Sequence, residues 1–360
     1  MADKIFKDML KSDESLIRDD VPLDYSFMPK MVPYREVQQK YIADCIKPLF
    51  QKRNGKNLFI YGKPGIGKTL LCRHVLNALE DEEVDEEVTP IYINCWQKNT
   101  NFKIMMEICR ILDYKFVQNK RSEELFDIAK QILNKKAVVF CFDEVDKIEN
   151  MDLVYHILEE IYRKTIIFIT NHKIFLDKID DRLKSRLMLD LLEFKNYNLQ
   201  ETKGILKDRI KYAFVDGVWN DDAFEAIVKK TAENEDIRTG LFMVKEAGRA
   251  AEDRSSRKIE LEDAQKAIKK AEDVSIRSSD DLEDETKSIL TIIKNNSGMK
   301  MGDLYKIYQD AGGQQAYKTF ARKIKKLEDA KFIECNKTEG GIEGNATFVN
   351  YVKIKKLDEF

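Results

Sequence analysis

The eight residues Gly62-Lys63-Pro64-Gly65-Ile66-Gly67-Lys68-Thr69 restrict what this chain can fold into more than any other stretch. They spell G-x-x-x-x-G-K-T. Before them, Leu58-Phe59-Ile60-Tyr61 reads as a short buried strand, and after them Leu70 to Leu79 continues as a helix. A strand that passes into a helix through glycines turns successive backbone N–H groups toward one point, at the positive end of the helix dipole. Such a nest holds phosphate. Lys68 adds a full charge for the β- and γ-phosphates, and the Thr69 hydroxyl suits Mg²⁺, so Gly62 to Leu70 is expected to take ATP or ADP with its metal.

The elements that follow fit a parallel sheet. Pro90 to Ile93, Ala137 to Phe142 and Thr165 to Ile169 are strand-like, and helical patterns over Arg35 to Phe50, Phe102 to Leu112, Ser122 to Asn134 and Leu153 to Tyr162 separate them. Strands alternating with helices imply an α/β domain with a parallel sheet and helices on both faces. Ligands then bind beyond the carboxyl ends of the strands. The third strand delivers Phe142-Asp143-Glu144-Val145-Asp146 there. Asp143 is expected to hold Mg²⁺, through water, and Glu144 to polarise the attacking water. The fourth strand ends in Thr170-Asn171-His172. Asn171 could bond the γ-phosphate and the lytic water, or serve as a turn residue. His172 reads as surface.

Charge narrows the partners. With 35% charged residues but a net charge of −2, any surface for a polyanion must be local. Six cysteines without a C-x-x-C pair read as small buried hydrophobes of a reducing compartment. The charged first residues and the absence of a long apolar run predict a cytoplasmic protein without a membrane partner.

Length suits two or three domains. Residues 1–33 read as an extended arm and 34–195 as the nucleotide-binding domain. After Phe194 the strand signal ends, and 196–277 reads as all-helical, with helix starts at Asn198 and Asp221. Polar Glu272 to Asp284 reads as a linker, so 278–360 forms a last domain of three helices and two strands around Gly340-Gly341 and Gly344. Within it, Tyr317 to Ala330 places Lys318, Arg322 and Lys325 on one helix face, with Lys326 beside them, and Phe320, Ile324 and Leu327 on the other. An apolar stripe would dock that helix and leave the basic face outward, as a DNA-binding helix requires, or simply as a solvated surface.

Taken together, these motifs resemble the AAA+ ATPases, and among them the archaeal replication-initiator family related to the origin recognition complex and cell division control proteins. The residues carrying the resemblance are Val32-Pro33-Tyr34-Arg35-Glu36, Leu58 to Thr69, Ile93-Asn94-Cys95, Phe142 to Asp146, Asp181 to Leu187, Phe194 to Tyr197, and Asp236-Ile237-Arg238. The resemblance implies an AAA+ domain, a helical lid and a C-terminal winged helix. It places Tyr34, Arg35 and Tyr197 near the base, makes Asn171 the sensor-1 amide, and makes Arg238 the sensor-2 arginine. Arg186, with Arg182 as its rival, would face the γ-phosphate of a neighbouring subunit.

Glu235 departs from the glycine common in the family, and Glu339 and Glu343 stand where wing arginines are frequent. Lys337 and Asn345 remain wing candidates for DNA. A second DNA contact through Asn99 to Lys115 is also implied. The expected activity is slow ATP hydrolysis used as a switch, by an initiator that binds duplex origin DNA, acts with other initiator subunits and helps load the replicative helicase. A clamp-loader-like remodelling ATPase and a purely regulatory initiator paralog are the alternatives.

Overall fold

Every residue of Ala137–Asp143 is buried, as a strand covered on both faces must be. It is the third of five parallel strands: β1 (Leu58–Tyr61), β2 (Val88–Asn94), β3 (Ala137–Asp143), β4 (Lys164–Thr170) and β5 (Asp190–Glu193), in the order β2-β3-β4-β1-β5. The computed structural model describes residues 15–81, 87–280, 284–311, 313, 315–329, 332–338 and 346–351.

Period-two alternation sorts the strand residues between two cores. Phe59, Ile91, Ile93, Val138, Phe140, Phe142, Ile166 and Phe168 face one side. There they meet α3 (Asn101–Ile111), α4 (Ser122–Leu133), α5 (Asp152–Glu160) and α7 (Asp181–Leu187), with Phe175 from the short α6 (Phe175–Lys178); Phe142 lies edge-on to Phe168. Leu58, Ile60, Val139, Cys141, Ile167 and Ile169 face the other, against α1 (Glu36–Ile46) and α2 (Lys68–Asp81). Each fully buried Leu, Ile or Phe contributes about 1.5–3 kcal/mol, so this alternation fixes which face each strand turns to which helix layer.

Helices α8 (Leu199–Ala213), α9 (Asp221–Asn234), α10 (Ile237–Asp253) and α11 (Leu261–Asp280) follow. Asn198 and Asn220 cap the first two, and the Asn198–Glu201 pair forms a capping box. Residues 15–27 pack on this layer. Leu16 N–H donates to Glu252 at 2.8 Å, Arg18 N–H to the Ala213 carbonyl at 2.8 Å, and Lys245 pairs with Asp20 at 2.6 Å. Thus the described part of the expected arm is a strap, with Leu16, Leu23 and Val32 buried.

Three expectations are corrected or extended. The linker read over Glu272 to Asp284 is helical through Asp280, because Leu261–Asp280 is one helix. A fifth strand, Asp190–Glu193, joins the four read from the sequence and pairs with β1 along its length. Near Pro48 the first helix tightens into a 3₁₀ turn, Lys47–Gln51.

Contacts divide the chain into two units, Met1–Lys269 and Lys270–Phe360. The second holds α12 (Asp284–Asn295), α13 (Met301–Asp310) and α14 (Tyr317–Asp329), with β6 (Met299–Lys300), β7 (Ile333–Thr338) and β8 (Ala346–Tyr351) in an antiparallel sheet ordered β6-β8-β7. Its core gathers Ile289, Ile293, Leu304, Tyr308, Phe320, Ile324, Leu327, Ile333 and Val349. The residues read as the wing turn, Glu339, Gly340, Gly341, Glu343, Gly344 and Asn345, lie outside the described residues. Among the described residues, no helix is long and apolar enough to cross a membrane.

Candidate nucleotide-binding site

β1 ends at Tyr61 and α2 begins at Lys68, so the turn between them lies at the carboxyl edge of the sheet. Gly62, Gly65 and Gly67 have φ of 151°, 75° and 90°. Only glycine enters those regions without strain, and here the glycine-rich spacing is a steric requirement. Lys68 is 6% exposed and folds back over the turn, its Nζ donating to the carbonyls of Gly62 at 2.8 Å and Lys63 at 2.7 Å and to Asn171 Oδ1 at 2.8 Å. Burial pulls its pKa down to about 8 against the opposing pull of Asp143 and Glu144, and the Arg238 charge lowers it further.

The acids lie opposite. Asp143 Oδ2 accepts from the Thr69 hydroxyl at 2.7 Å and from the Tyr92 hydroxyl at 2.7 Å, while Oδ1 accepts the Glu144 N–H at 3.0 Å. A buried carboxylate and a hydroxyl at this separation are hard oxygen donors that suit Mg²⁺, so Thr69 and Asp143 fit that ion. Glu144 takes φ 53°, which turns it off the strand line, and both its oxygens lie 3.4 Å from Asn171 Nδ2. Burial, then the neighbouring Asp143 and Asp146 carboxylates, hold Glu144 above the ordinary carboxylate range. Thr170 donates to Asp146 at 2.7 Å, joining the ends of β3 and β4. His172 is exposed.

Arg35 is 4% exposed, and its guanidinium carbon lies 3.9 Å from the centre of the Tyr197 ring. Its Nε donates to the Tyr197 hydroxyl at 3.1 Å, and its Nη2 to the carbonyls of Ile66 at 3.2 Å and Lys195 at 2.7 Å. Those bonds tie the chain before α1 to the glycine turn and to the segment after β5. Tyr34, at φ 63°, lays its ring against Gly204 of α8, where a Cβ would come within 2.1 Å of its hydroxyl.

The helical layer reaches the same turn. Ile237 N–H approaches the Gly65 carbonyl at 3.4 Å, and Lys63 pairs with Glu235. Glu235 adopts φ 55°, a conformation that glycine enters more readily than Glu. Asp236 caps α10 by accepting from Arg238 N–H at 2.8 Å, and the exposed Arg238 follows in the first turn.

A family model described as an AAA domain matches residues 51–205, and one described as the Cdc6 AAA+ ATPase-type lid domain matches residues 203–269. The ORC1-type DNA replication protein 2 of Methanosarcina acetivorans is 26% identical over 356 residues, covering 95% of each chain. The ORC1-type DNA replication protein 1 of Sulfurisphaera tokodaii is 31% identical over 253 residues, 67% of this chain and 63% of its own. In fold, the chain is similar to the Aeropyrum pernix ORC1 protein solved in complex with DNA, with a TM-score of 0.73, 23% identity, and coverage of 95% of this chain and 94% of that one. The chain belongs to the Orc1/Cdc6 family of AAA+ ATPases.

Around the Orc1/Cdc6 nucleotide turn, the structure brings Lys68, Thr69, Asp143, Glu144 and Asn171 into one hydrogen-bonded group. Arg186 is elsewhere engaged. It pairs with Glu159 and lies 5.1 Å over the Tyr155 ring, rather than pairing with Asp180 or Asp181. Asp180 instead caps α7, and Asp181 pairs with Lys184 at 3.5 Å. Arg182 is exposed and makes no side-chain ion pair among the described residues.

In the C-terminal unit, Lys318, Arg322 and Lys325 are exposed on α14 while Phe320, Ile324 and Leu327 are no more than 1% exposed. The side chains of Lys326 and Lys337 lie outside the described residues. No motif announces Tyr92. The one signal is its place on β2, opposite Cys141 and diagonal to Asp143 in the parallel register, which puts all three on one face.

Proposed function

We propose that this chain is an ATP-switched initiator of DNA replication that binds duplex origin DNA, acts with other initiator subunits and helps load the replicative helicase. The observation that carries the proposal is the 95% coverage of both chains in the match to an ORC1-type DNA replication protein, which includes the ATPase unit and the C-terminal unit alike. The likeness in fold to an ORC1 protein solved with DNA supports the DNA part.

In this reading the chain divides into an arm, 1–33, an AAA+ domain, 34–195, a lid, 196–277, and a winged helix, 278–360. Gly62 to Leu70 cradles the phosphates. Thr69 holds Mg²⁺ directly and Asp143 through water, and the metal offsets charge on the β- and γ-phosphates. Glu144 polarises water, Asn171 orients it, Tyr34, Arg35 and Tyr197 frame the base, and Arg238 reports the γ-phosphate to the lid. The exposed basic face of α14, with Lys318, Arg322 and Lys325 and adjoined by Lys326 and Lys337, meets the DNA. Such a protein works at the nucleoid.

Duplex DNA binding, followed across a salt series with ATP or ADP bound, tests this. Arg322→Glu combined with Lys325→Glu is expected to weaken binding by more than tenfold and to reduce the slope of log affinity against log salt by about 2. Binding untouched by the double reversal removes the proposed interface, and no DNA binding at low salt removes the initiator reading.

A further inference from the structure

We infer that Tyr92 is a positioning residue for magnesium–nucleotide binding, acting through Asp143. It rests on the proposed assignment of Asp143 to the metal. The carboxylate has three donors: the Tyr92 and Thr69 hydroxyls on Oδ2, both at 2.7 Å, and the Glu144 N–H on Oδ1 at 3.0 Å. Thr69 is itself a proposed metal ligand, and the Glu144 N–H belongs to the backbone. Tyr92 is therefore the side-chain donor whose hydroxyl is committed to the carboxylate alone among the described residues.

Its rigidity follows from its setting. The ring is half-buried among the residues packed on the α2 face of the sheet, and the Arg73 guanidinium lies 5.4 Å over it. Held on β2, the edge strand paired with β3 along its whole length, the ring cannot follow Asp143 if that side chain rotates. The hydroxyl thus selects one carboxylate rotamer. A phenol, with an ordinary pKa of about 10, is a hydrogen-bond donor at neutral pH.

The Tyr92→Phe variant removes one O–H and keeps the ring. Fluorescent ADP is titrated into the natural protein, Tyr92→Phe and Asp143→Asn, first in chelator and then across a Mg²⁺ series, and Mn²⁺ occupancy is read by electron paramagnetic resonance. For Tyr92→Phe, metal-free ADP affinity is expected to stay as in the natural protein, and the melting temperature to fall only slightly, as loss of one hydrogen bond implies. The half-saturating Mg²⁺ and Mn²⁺ concentrations are expected to rise about tenfold, the size of one hydrogen bond to a charged group. An unchanged or lower metal requirement in Tyr92→Phe, while Asp143→Asn loses the metal response, overturns the role of Tyr92 and leaves Asp143 in place. If Mg²⁺ changes ADP affinity in neither the natural protein nor the variants, the metal assignment and the inference fall together.

Discussion

Lys68 Nζ and Asn171 Oδ1 are 2.8 Å apart, which turns the opposite end of the amide, Nδ2, toward both oxygens of Glu144 at 3.4 Å. Because an ammonium can only donate, the lysine fixes which end of Asn171 carries the acceptor. The amide therefore links the proposed phosphate-binding cation to the proposed base. Replacing Asn171 with Ala is expected to slow single-turnover ATP hydrolysis by about 10²-fold, the loss typical of one preorganised donor, while ATP affinity changes little. An unchanged hydrolysis rate assigns Asn171 to the turn alone.

The proposed phosphate role of Lys68 predicts a pH limit on binding. Burial has lowered its pKa to about 8, and anionic phosphates favour the charged form, so the bound state holds its proton more tightly than the free one. Nucleotide affinity is then constant below that value and falls as pH rises through it. Calorimetry at pH 8.5 in buffers of different ionisation enthalpy is expected to show proton uptake on ADP binding. Proton release, or affinity independent of pH up to 9.5, would contradict the phosphate role of Lys68.

Much of this arrangement was legible because it is local. The glycines of the phosphate turn need positive φ, and the strand before it and helix after it have their own periods, so sequence distance and spatial distance nearly coincide. β5 escaped notice for a physical reason. Leu191 is 49% exposed and the strand is only four residues long, so its stability comes from pairing with β1 rather than from an apolar run. Glu272 to Asp280 is polar on most faces yet continues a helix begun by the buried Ala264 and Ala267, and composition alone reads such a stretch as linker. The Tyr92–Asp143 bond and the Glu235 contact to Lys63 join residues far apart in sequence, and no spacing rule reaches them.

Glu144 should report itself in the acid limb of turnover. Burial beside Asp143 and Asp146 raises its pKa, and a base must be deprotonated, so the hydrolysis rate is expected to fall as pH drops through a value above the ordinary Glu range. Glu144→Gln is expected to preserve ATP binding, lower the rate by at least about 10²-fold and abolish that limb. Turnover near the natural rate in this variant would take Glu144 out of the base role.

Arg186 presents the case where assembly decides. Its guanidinium is already held by Glu159 and the Tyr155 ring, so reaching a neighbour's γ-phosphate requires it to leave both. The pair is surface-exposed, and such pairs contribute only about 0–1 kcal/mol, which a triphosphate in a closed interface readily outcompetes. Arg182, four residues before Arg186 on α7, is exposed, carries no ion pair among the described residues and serves as the control. Arg186→Ala is expected to leave ATP affinity and melting temperature of the isolated chain unchanged and to remove the rise in turnover that appears at concentrations where subunits associate. Mixing it with a Glu144→Gln protein separates the sites, since only natural Arg186 facing a natural Glu144 site can then be active. Loss of the assembly-dependent turnover in Arg182→Ala instead transfers the role to Arg182, and a defect in the isolated Arg186→Ala chain means that the arginine acts within its own subunit.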